Sequence, residues 1–284
     1  MKTYFSELLH KSIEIWIAED VRDGDHTTLS TIPKDAKGKA KLLIKDTGVY
    51  AGFFVANEVF KYFDPEIKVE SFLHDGSEVK FGDIPFTISG SVRSILQTER
   101  LVLNILQRLS GVATQTREYA DLIKDFDTKI LDTRKTTPGL RYLEKEAVRL
   151  GGGVNHRVGL FDMILIKDNH IDFSGGIQQA IKNAQKYLHQ HKKDLKIEVE
   201  ARSLKDVNII LQTGGVDRIL LDNFTPDQTR KAVKLINGKV ETESSGGITK
   251  DTIRDYAACG VDYISVGALT HQIKSLDMSL KADF

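Results

Sequence analysis

From residue 129 onward, short apolar runs typical of buried strands alternate with longer stretches of helical periodicity. The predicted strands cover residues 129–132, 163–166, 196–200, 218–222, 239–243 and 263–266. The predicted helices cover residues 140–150, 176–189, 204–212, 226–236 and 250–258. Repeated strand–helix units of this size predict a parallel sheet, either doubly wound or closed into a β/α barrel. No G-x-G-x-x-G or Walker loop follows a strand, which disfavours the dinucleotide-binding form.

A charged or glycine-rich group stands at the end of each predicted strand. These groups are Arg134 with Lys135, Lys167, Glu200, Asp222, Glu243 before residues 244–247, and Gly267 with Ala268. Functional side chains of β/α barrels come from the C-terminal ends of different strands. The sequence therefore predicts a barrel with a ligand site at this edge.

The stretch 130–172 concentrates positive charge in loops. Its basic residues are Arg134, Lys135, Arg141, Arg149, His156, Arg157 and Lys167. They lie beside glycine and proline or directly after apolar runs, unlike the mixed charges of a solvated helix face. Glycines 151–153 let the backbone come close to a ligand, or form a helix C-cap. This pattern predicts a pocket for a polyanionic small molecule.

The last two strand ends predict a phosphate site. Gly246 and Gly247 precede Ile248 and the predicted helix 250–258, and a second glycine-containing end follows at Gly267. Backbone N–H groups and a helix N-terminus hold phosphate in many barrels, although a tight strand-to-helix turn is the alternative.

Three further strand-end residues admit alternatives. Glu200 and Asp222 either grip sugar hydroxyls or a bridging Mg²⁺, or form helix caps and ion pairs. Lys167 is either an anion contact, a Schiff-base nucleophile, or the ion-pair partner of Asp168.

The first ~110 residues read as a mixed α+β unit. An amphipathic helix is predicted over 3–18, then an acidic loop at 19–28 that indicates a turn with a helix cap, a cation site being the alternative. Predicted strands at 40–45, 67–73 and 86–89 enclose a helix at 51–63. A long helix is predicted over 94–124, with a possible break near residues 110–111.

Composition excludes several classes of protein. The 284 residues carry 40 basic and 40 acidic side chains, whereas proteins that coat nucleic acid or anionic lipid usually show a basic excess. A single cysteine, Cys259, excludes an intramolecular disulfide and indicates a reducing compartment. No apolar run approaches the roughly 18 residues that a membrane span requires, so a cytoplasmic protein is expected.

Taken in order, several motifs resemble the quinolinate phosphoribosyltransferase family. They are GDHTT, TERLVLNILQRLSGVAT, DTRKTTPGLR, GGGVNHRVGLFDMILIKDNHI, EVEARSL, ILLDNF, ETESSGGI and GVDYISVGALTH. Each motif is weak by itself, but the ordered set is specific and covers nearly the whole chain. One departure is Arg22, where the family often has glycine.

The resemblance implies an α/β fold: an N-terminal α/β-sandwich domain and an open, incomplete β/α barrel of about six or seven parallel strands. We expect the first domain at 1–112 and the barrel at 113–271, with 272–284 packing back on the first domain. The resemblance also implies a homodimer with shared active sites.

The implied reaction joins quinolinate to phosphoribosyl diphosphate and yields nicotinate mononucleotide, CO₂ and diphosphate, with Mg²⁺, in NAD synthesis. The residues that the resemblance assigns to quinolinate are Thr133, Arg134, Lys135, His156 and Arg157, with Arg100 supplied by the partner subunit. Lys167 would contact both substrates, and Glu200 and Asp222 would take ribose hydroxyls and the metal. The residues that would line the phosphate end are Gly246, Gly247, Ile248, Gly267, Ala268 and Leu269.

Other functions stay open at this point. They are a phosphoribosyltransferase for a related pyridine carboxylate, a Schiff-base barrel lyase using Lys167, and a non-catalytic sensor of such ligands.

Overall fold

The computed structural model describes residues 2–283, and side chains from Phe5 onward. The chain forms two compact units. Unit 1 comprises residues 1–117, 137–151 and 272–284, and unit 2 comprises residues 118–136 and 152–271. The segment 137–151 belongs to unit 1 although it lies between two parts of unit 2 in the sequence.

The first elements run from the N-terminus through a long helix. They are α1 (Lys2–Asp20), α2 (His26–Thr31), β1 (Lys37–Ile44), β2 (Gly48–Val49), α3 (Phe53–Phe63), β3 (Lys68–Ser71), β4 (Glu78–Val79), β5 (Phe86–Ser91) and α4 (Val92–Leu122).

The remaining elements alternate until the final strand. They are β6 (Lys129–Leu131), α5 (Arg141–Leu150), β7 (Ile164–Ile166), α6 (Asp168–Phe173), α7 (Ile177–His191), β8 (Ile197–Ala201), α8 (Leu204–Thr213), β9 (Arg218–Asp222), α9 (Pro226–Ile236), β10 (Glu241–Ser245), α10 (Ile253–Ala257), β11 (Tyr263–Ser265), α11 (Ala268–His271) and β12 (Met278–Ala282).

Unit 1 contains a four-stranded antiparallel sheet in the order β12-β1-β5-β3. Alternate residues of β1, among them Leu42 and Ile44, are fully buried, as a period-two strand with one covered face requires. The edge strand β12 pairs Met278 with Ile44 and Ala282 with Ala40. The segment expected to pack back on the N-terminal part therefore supplies a strand to its sheet.

The acidic loop before α2 is a helix cap. The carboxylate of Asp25 accepts a hydrogen bond from the backbone N–H of Thr28, which lowers the pKa of Asp25 and confirms the turn-and-cap prediction. Arg22 adopts a left-handed backbone with φ of 43°, a conformation that costs glycine nothing. The departure from the family pattern thus occurs where glycine would fit without strain.

Helix α4 is continuous over 31 residues, so the predicted break near residues 110–111 is wrong. Gly111 serves a close approach instead, because a Cβ there would lie 2.4 Å from the carbonyl oxygen of Lys274. The hydroxyl of Ser110, fully buried, accepts from the N–H of Ala51 and donates to its carbonyl, which ties the helix to the segment between β2 and α3. Glycine here marks packing against backbone and leaves the helix intact.

Unit 2 contains a six-stranded parallel sheet in the order β6-β11-β10-β9-β8-β7. Strands β6 and β7 follow one another in sequence yet occupy opposite edges. In a closed barrel they would pair, so this order is that of a barrel open between its first two strands. One isolated bridge, from Leu131 to Val154, lies in that gap.

Period-two alternation places charged side chains on one face of the barrel strands. Glu198 and Glu200 share a face of β8, and Arg218, Leu220 and Asp222 share a face of β9. The other face is apolar and buried, with Val199 and Ile219 fully covered. No described helix is long and apolar enough to cross a membrane.

Candidate active site

The ends of β6 and β11 meet around Lys135. Thr270 Oγ1 donates to the Lys135 carbonyl at 2.9 Å, and Lys135 N donates to Thr133 Oγ1 at 3.0 Å. A Cβ at Gly267 would lie 3.0 Å from Cδ of Lys135, so glycine leaves room for this side chain. The first and last strand ends therefore lie side by side.

Two arginines lie near one another in the segments that connect β6 to β7, on either side of α5. Burial, and after it the charge of Arg134, lower the pKa of Arg157. Arg157 Nη1 also donates to the carbonyl of Met163 at 3.2 Å. An anion bound between these two cations would reduce their electrostatic repulsion.

His156, predicted to bind substrate, has its imidazole among buried carboxylates. Its Nε2 lies 3.0 Å from Oε2 of Glu198 and 3.4 Å from Oε2 of Glu243. Only 7% of the His156 side chain is exposed, against 0% for Glu198 and 1% for Glu243. Direct contact of His156 with substrate stays a prediction, because its Nε2 already faces two acids.

The charges of this cluster are strongly coupled. Burial alone would lower the pKa of His156, but the two carboxylates outweigh it and raise that pKa to about 9. Burial and the charge of Glu243 raise the pKa of Glu198 to about 7, while His156 lowers the pKa of Glu243 against the effect of burial. The backbone N–H of Arg157 lies 2.7 Å from His156 Nδ1, and Nε2 is the ring nitrogen that faces the acids.

Arg218 supplies the second positive charge of the cluster. Its Nη1 lies 3.1 Å from Glu243, its Nη2 lies 3.0 Å from Glu241, and its guanidinium stacks 4.1 Å from the ring centre of Tyr263. His156, Glu198 and Glu243 offer ligand atoms of a metal-binding type within 4.8 Å of one another. Within the described residues, Arg218 and His156 are the positively charged partners of these acids.

Glu200 and Asp222 end adjacent strands and face Lys167. Burial and the charges of Asp222 and Asp168 raise the pKa of Glu200, and the charge of Lys167 opposes that rise. Asn223, in the left-handed region at φ of 55°, donates from its side-chain amide to Asp222 at 2.7 Å. Clustered carboxylates beside one cation suit hydroxyl groups or a divalent ion.

The glycine-rich turn after β10 packs against Asn223. Gly246 has φ of 103°, and a Cβ there would lie 2.2 Å from Oδ1 of Asn223. Gly247 is also left-handed, at φ of 62°, and Ile248 is buried. The helix predicted from residue 250 begins only at Ile253, because residues 249–252 form a hydrogen-bonded turn first. The predicted phosphate contacts from Gly246, Gly247, Ile248, Ala268 and Leu269 stay predictions.

Arg100 lies in unit 1, exposed on α4. It lines a groove of about 630 Å³ that also includes Trp16, Leu101, Arg108 and Leu140. Arg108 pairs there with the buried Glu144 at 2.6 Å. Unit 1 thus presents Arg100 beside an apolar groove.

Sequence reasoning missed the interior charges Glu198 and Arg218, and also Asp132 and Asn223. Asp132 is fully buried and accepts from the N–H of His156 at 2.8 Å. A usable signal was present: charged residues recur two positions apart in IEVEA and ETESS, and four positions apart in RILLD. In a barrel such residues share the inner face.

Taken together, unit 2 is an open β/α barrel of the enzyme type, with cations, acids and glycines gathered at one edge of the sheet. This edge suits a substrate that carries carboxylates and phosphates.

Family models agree with this assignment. The C-terminal domain of quinolinate phosphoribosyl transferase matches residues 112–281, and the N-terminal domain of the same family matches residues 25–110. The chain belongs to the quinolinate phosphoribosyltransferase family.

Curated relatives and solved structures span nearly the whole chain. The chain is 45% identical to a chloroplastic nicotinate-nucleotide pyrophosphorylase (carboxylating) of Oryza sativa subsp. japonica, over 95% of this chain and 76% of that protein. It is 42% identical to a probable nicotinate-nucleotide pyrophosphorylase (carboxylating) of Bacillus subtilis, over 96% of this chain and 92% of that protein. The structure of the nicotinate-nucleotide pyrophosphorylase from Francisella tularensis matches with a TM-score of 0.92 and 39% identity, covering 98% of this chain and 96% of that one.

Proposed function

We propose that the chain transfers the phosphoribosyl group of phosphoribosyl diphosphate to quinolinate and releases CO₂ and diphosphate, giving nicotinate mononucleotide for NAD synthesis. The observation that carries this proposal is the nearness of Arg134 and Arg157 in a partly buried region, where burial, and after it the charge of Arg134, lower the pKa of Arg157. Quinolinate is a dianion, and a charge-neutral chain must gather its cations locally to bind it.

In the proposed reaction the ring nitrogen of quinolinate attacks the anomeric carbon as diphosphate leaves. Positioning and electrostatic stabilisation of the oxocarbenium-like state provide the acceleration. The resulting pyridinium accepts the electron pair of the breaking C–C bond when the adjacent carboxylate departs as CO₂. No protein nucleophile is required.

The residues fall into groups according to the part of the substrates that each would contact. Thr133, Arg134, Lys135 and Arg157 would hold the quinolinate carboxylates, and Lys167 would contact both substrates. Glu200 and Asp222 would take the ribose hydroxyls. The glycines at 246, 247 and 267 would approach the phosphate groups.

Mg²⁺ would be held with phosphoribosyl diphosphate by Glu200 and Asp222, directly or through water and ribose hydroxyls. Acidic neighbours raise the pKa of Glu200, so a cation placed there is favoured. When bound, Mg²⁺ would neutralise the charge of the departing diphosphate.

A Schiff-base role for Lys167 is less consistent with its surroundings. The charge of Lys167 acts on the carboxylate of Glu200, so Lys167 lies close enough to the acidic residues for an electrostatic role.

We further propose a homodimer in which Arg100 of one protomer reaches the quinolinate pocket of its partner. Unit 2 exposes Leu160 to 73%, Phe161 to 68% and Phe173 to 92%, close in sequence to Arg157 and Lys167. Exposed apolar side chains of this size mark an interaction surface, which a second copy would cover. A cytoplasmic location stays a prediction.

A substrate panel tests the proposed function. Quinolinate should exceed nicotinate in kcat/KM by about one to two powers of ten, because nicotinate lacks one carboxylate and so loses a charge-assisted contact. Formation of nicotinate mononucleotide and release of diphosphate are measured for each acid. Equal kcat/KM values would contradict the proposal.

A further inference from the structure

Two buried acids in the barrel interior have no part in the reaction described above. Glu198 lies two residues before Glu200 on β8, and Glu243 lies on β10. Strand β9 lies between β8 and β10. Both side chains are essentially inaccessible to solvent, so neither can reach substrate. Their shared neighbour is the imidazole of His156.

Burying two carboxylates costs free energy of folding, because each loses its hydration and must be paired with a cation or hydrogen-bonded. Apolar side chains of similar volume in the same positions would often make the fold equally stable. Arg218 matches Glu243 at 3.1 Å, whereas neither oxygen of Glu198 has a well-aligned hydrogen bond within the described part of the chain. Oε2 of Glu198 lies 3.0 Å from Nε2 of the His156 ring, which is its ion-pair partner.

His156 lies in a segment without helix or strand, residues 155–157, that also carries Arg157. Backbone anchors flank the segment: Asp132 accepts from the N–H of His156, and Asp162 accepts from the N–H groups of Val158 and Gly159. The ring of His156 adds a side-chain anchor that reaches strands β8 and β10. Its Nδ1 in turn accepts from the N–H of Arg157, so the orientation of the ring is coupled to the backbone at Arg157.

We propose that Glu198 and Glu243 are positioning residues for quinolinate: they hold the His156 ring and thereby set the Arg157 guanidinium against a ligand carboxylate. This inference rests on the proposed function. It differs from a merely structural role because it predicts a selective loss of quinolinate binding.

The test uses Glu198→Gln and Glu243→Gln, which keep side-chain shape and remove charge, in the full-length protein. Each should raise KM for quinolinate about 10-fold while kcat and KM for phosphoribosyl diphosphate change less than about twofold. Glu241→Gln is the matched control, since Glu241 shares Arg218 but contacts neither His156 nor the loop. It should leave all three constants unchanged.

A double variant separates action through His156 from a direct effect. His156→Gln should raise KM for quinolinate by itself, and Glu198→Gln added to it should raise KM no further, because the acid then has no ring to hold. Should Glu198→Gln fail to fold, Glu243→Gln and its combination with His156→Gln carry the same comparison.

The outcomes are distinct. A rise in KM for quinolinate that is additive in the double variant would overturn the positioning role. A loss of kcat without a selective rise in KM for quinolinate would overturn it as well. Absence of nicotinate mononucleotide formation by the wild-type protein would instead overturn the proposed function, and titration calorimetry with quinolinate alone would still test whether Glu198→Gln weakens binding.

Discussion

Lys167 is exposed directly after β7, and its charge acts on Glu200. As an electrostatic contact it can be replaced by another cation. We expect Lys167→Arg to keep part of the activity and Lys167→Ala to lose about 10- to 100-fold in kcat/KM, the worth of a charge-assisted hydrogen bond. Steady-state kinetics measure this, with the exposed Asn169→Ala as the control.

The same residue allows a covalent test. Borohydride added with quinolinate and phosphoribosyl diphosphate should leave the mass of the protein unchanged. A stable adduct at Lys167 would restore the Schiff-base hypothesis.

His156 couples stability to pH. Its pKa is about 9 in the folded chain, above the ordinary value of 6.5. A raised pKa stabilises the fold fully below pH 6.5, and that stabilisation is lost as the pH rises through 9. The free energy of unfolding should fall by roughly 2–3 kcal/mol over this range. This figure is smaller than the full pKa shift would give, because the Arg157 N–H opposes a proton on Nδ1. Tm should therefore fall between pH 6.5 and 9, and fall less in His156→Gln; identical pH profiles would contradict the assignment.

Candidate site residues could be proposed from sequence where they followed a strand. Arg134, Lys167, Glu200 and Asp222 stand at strand ends, where position alone indicates function. Glu198 and Arg218 lie inside strands, and their neighbours across the sheet are known only once the strand order is fixed. Their partnership with His156 depends on that order and not on local sequence.

At the scale of elements, Gly111 shows how a sequence signal can mislead. Glycine in a helix normally weakens it by about 1 kcal/mol relative to alanine, which suggested a break in α4. The glycine is present because residues 274–275 pass against the helix, and that segment is 163 positions or more away along the chain. Helix periodicity predicted α4, but the distant contact was beyond local reasoning.

Gly111→Ala tests this packing. The added Cβ would lie 2.4 Å from a backbone carbonyl, so the substitution should lower stability by about 1–3 kcal/mol in place of the usual gain. Chemical denaturation measures it, and Asp121→Ala, exposed on the same helix, should change stability by less than about 0.5 kcal/mol. A more stable Gly111→Ala protein would show that the segment at 274–275 yields freely.

At the scale of the whole molecule, the strand–helix alternation predicted a parallel sheet, either doubly wound or closed into a barrel. An open barrel was expected only from the family resemblance, and its opening between β6 and β7 is known from the strand order of the structure. Residues 137–151 come soon after β6 in the sequence but belong to unit 1. No local sequence pattern predicts this placement.

Subunit mixing tests the proposed shared site. Arg100→Ala and Glu200→Ala should each be nearly inactive, and heterodimers of the two should recover up to about half of the wild-type rate, because one site then carries both lesions and the other carries neither. Co-expression with two affinity tags isolates the heterodimer for assay. Confirmed heterodimers without recovered activity would place Arg100 outside its partner's site.

The strand β12 has a consequence for how the chain is made. A ribosome releases residues 1–117 first, and domains generally fold in that order during synthesis. Here unit 2 has all of its residues once His271 has emerged, while the sheet of unit 1 still lacks the strand that pairs with Lys37–Ile44. The unit begun first is therefore completed last, and until Met278–Ala282 emerge, the β1 edge stays open to strands of neighbouring nascent chains.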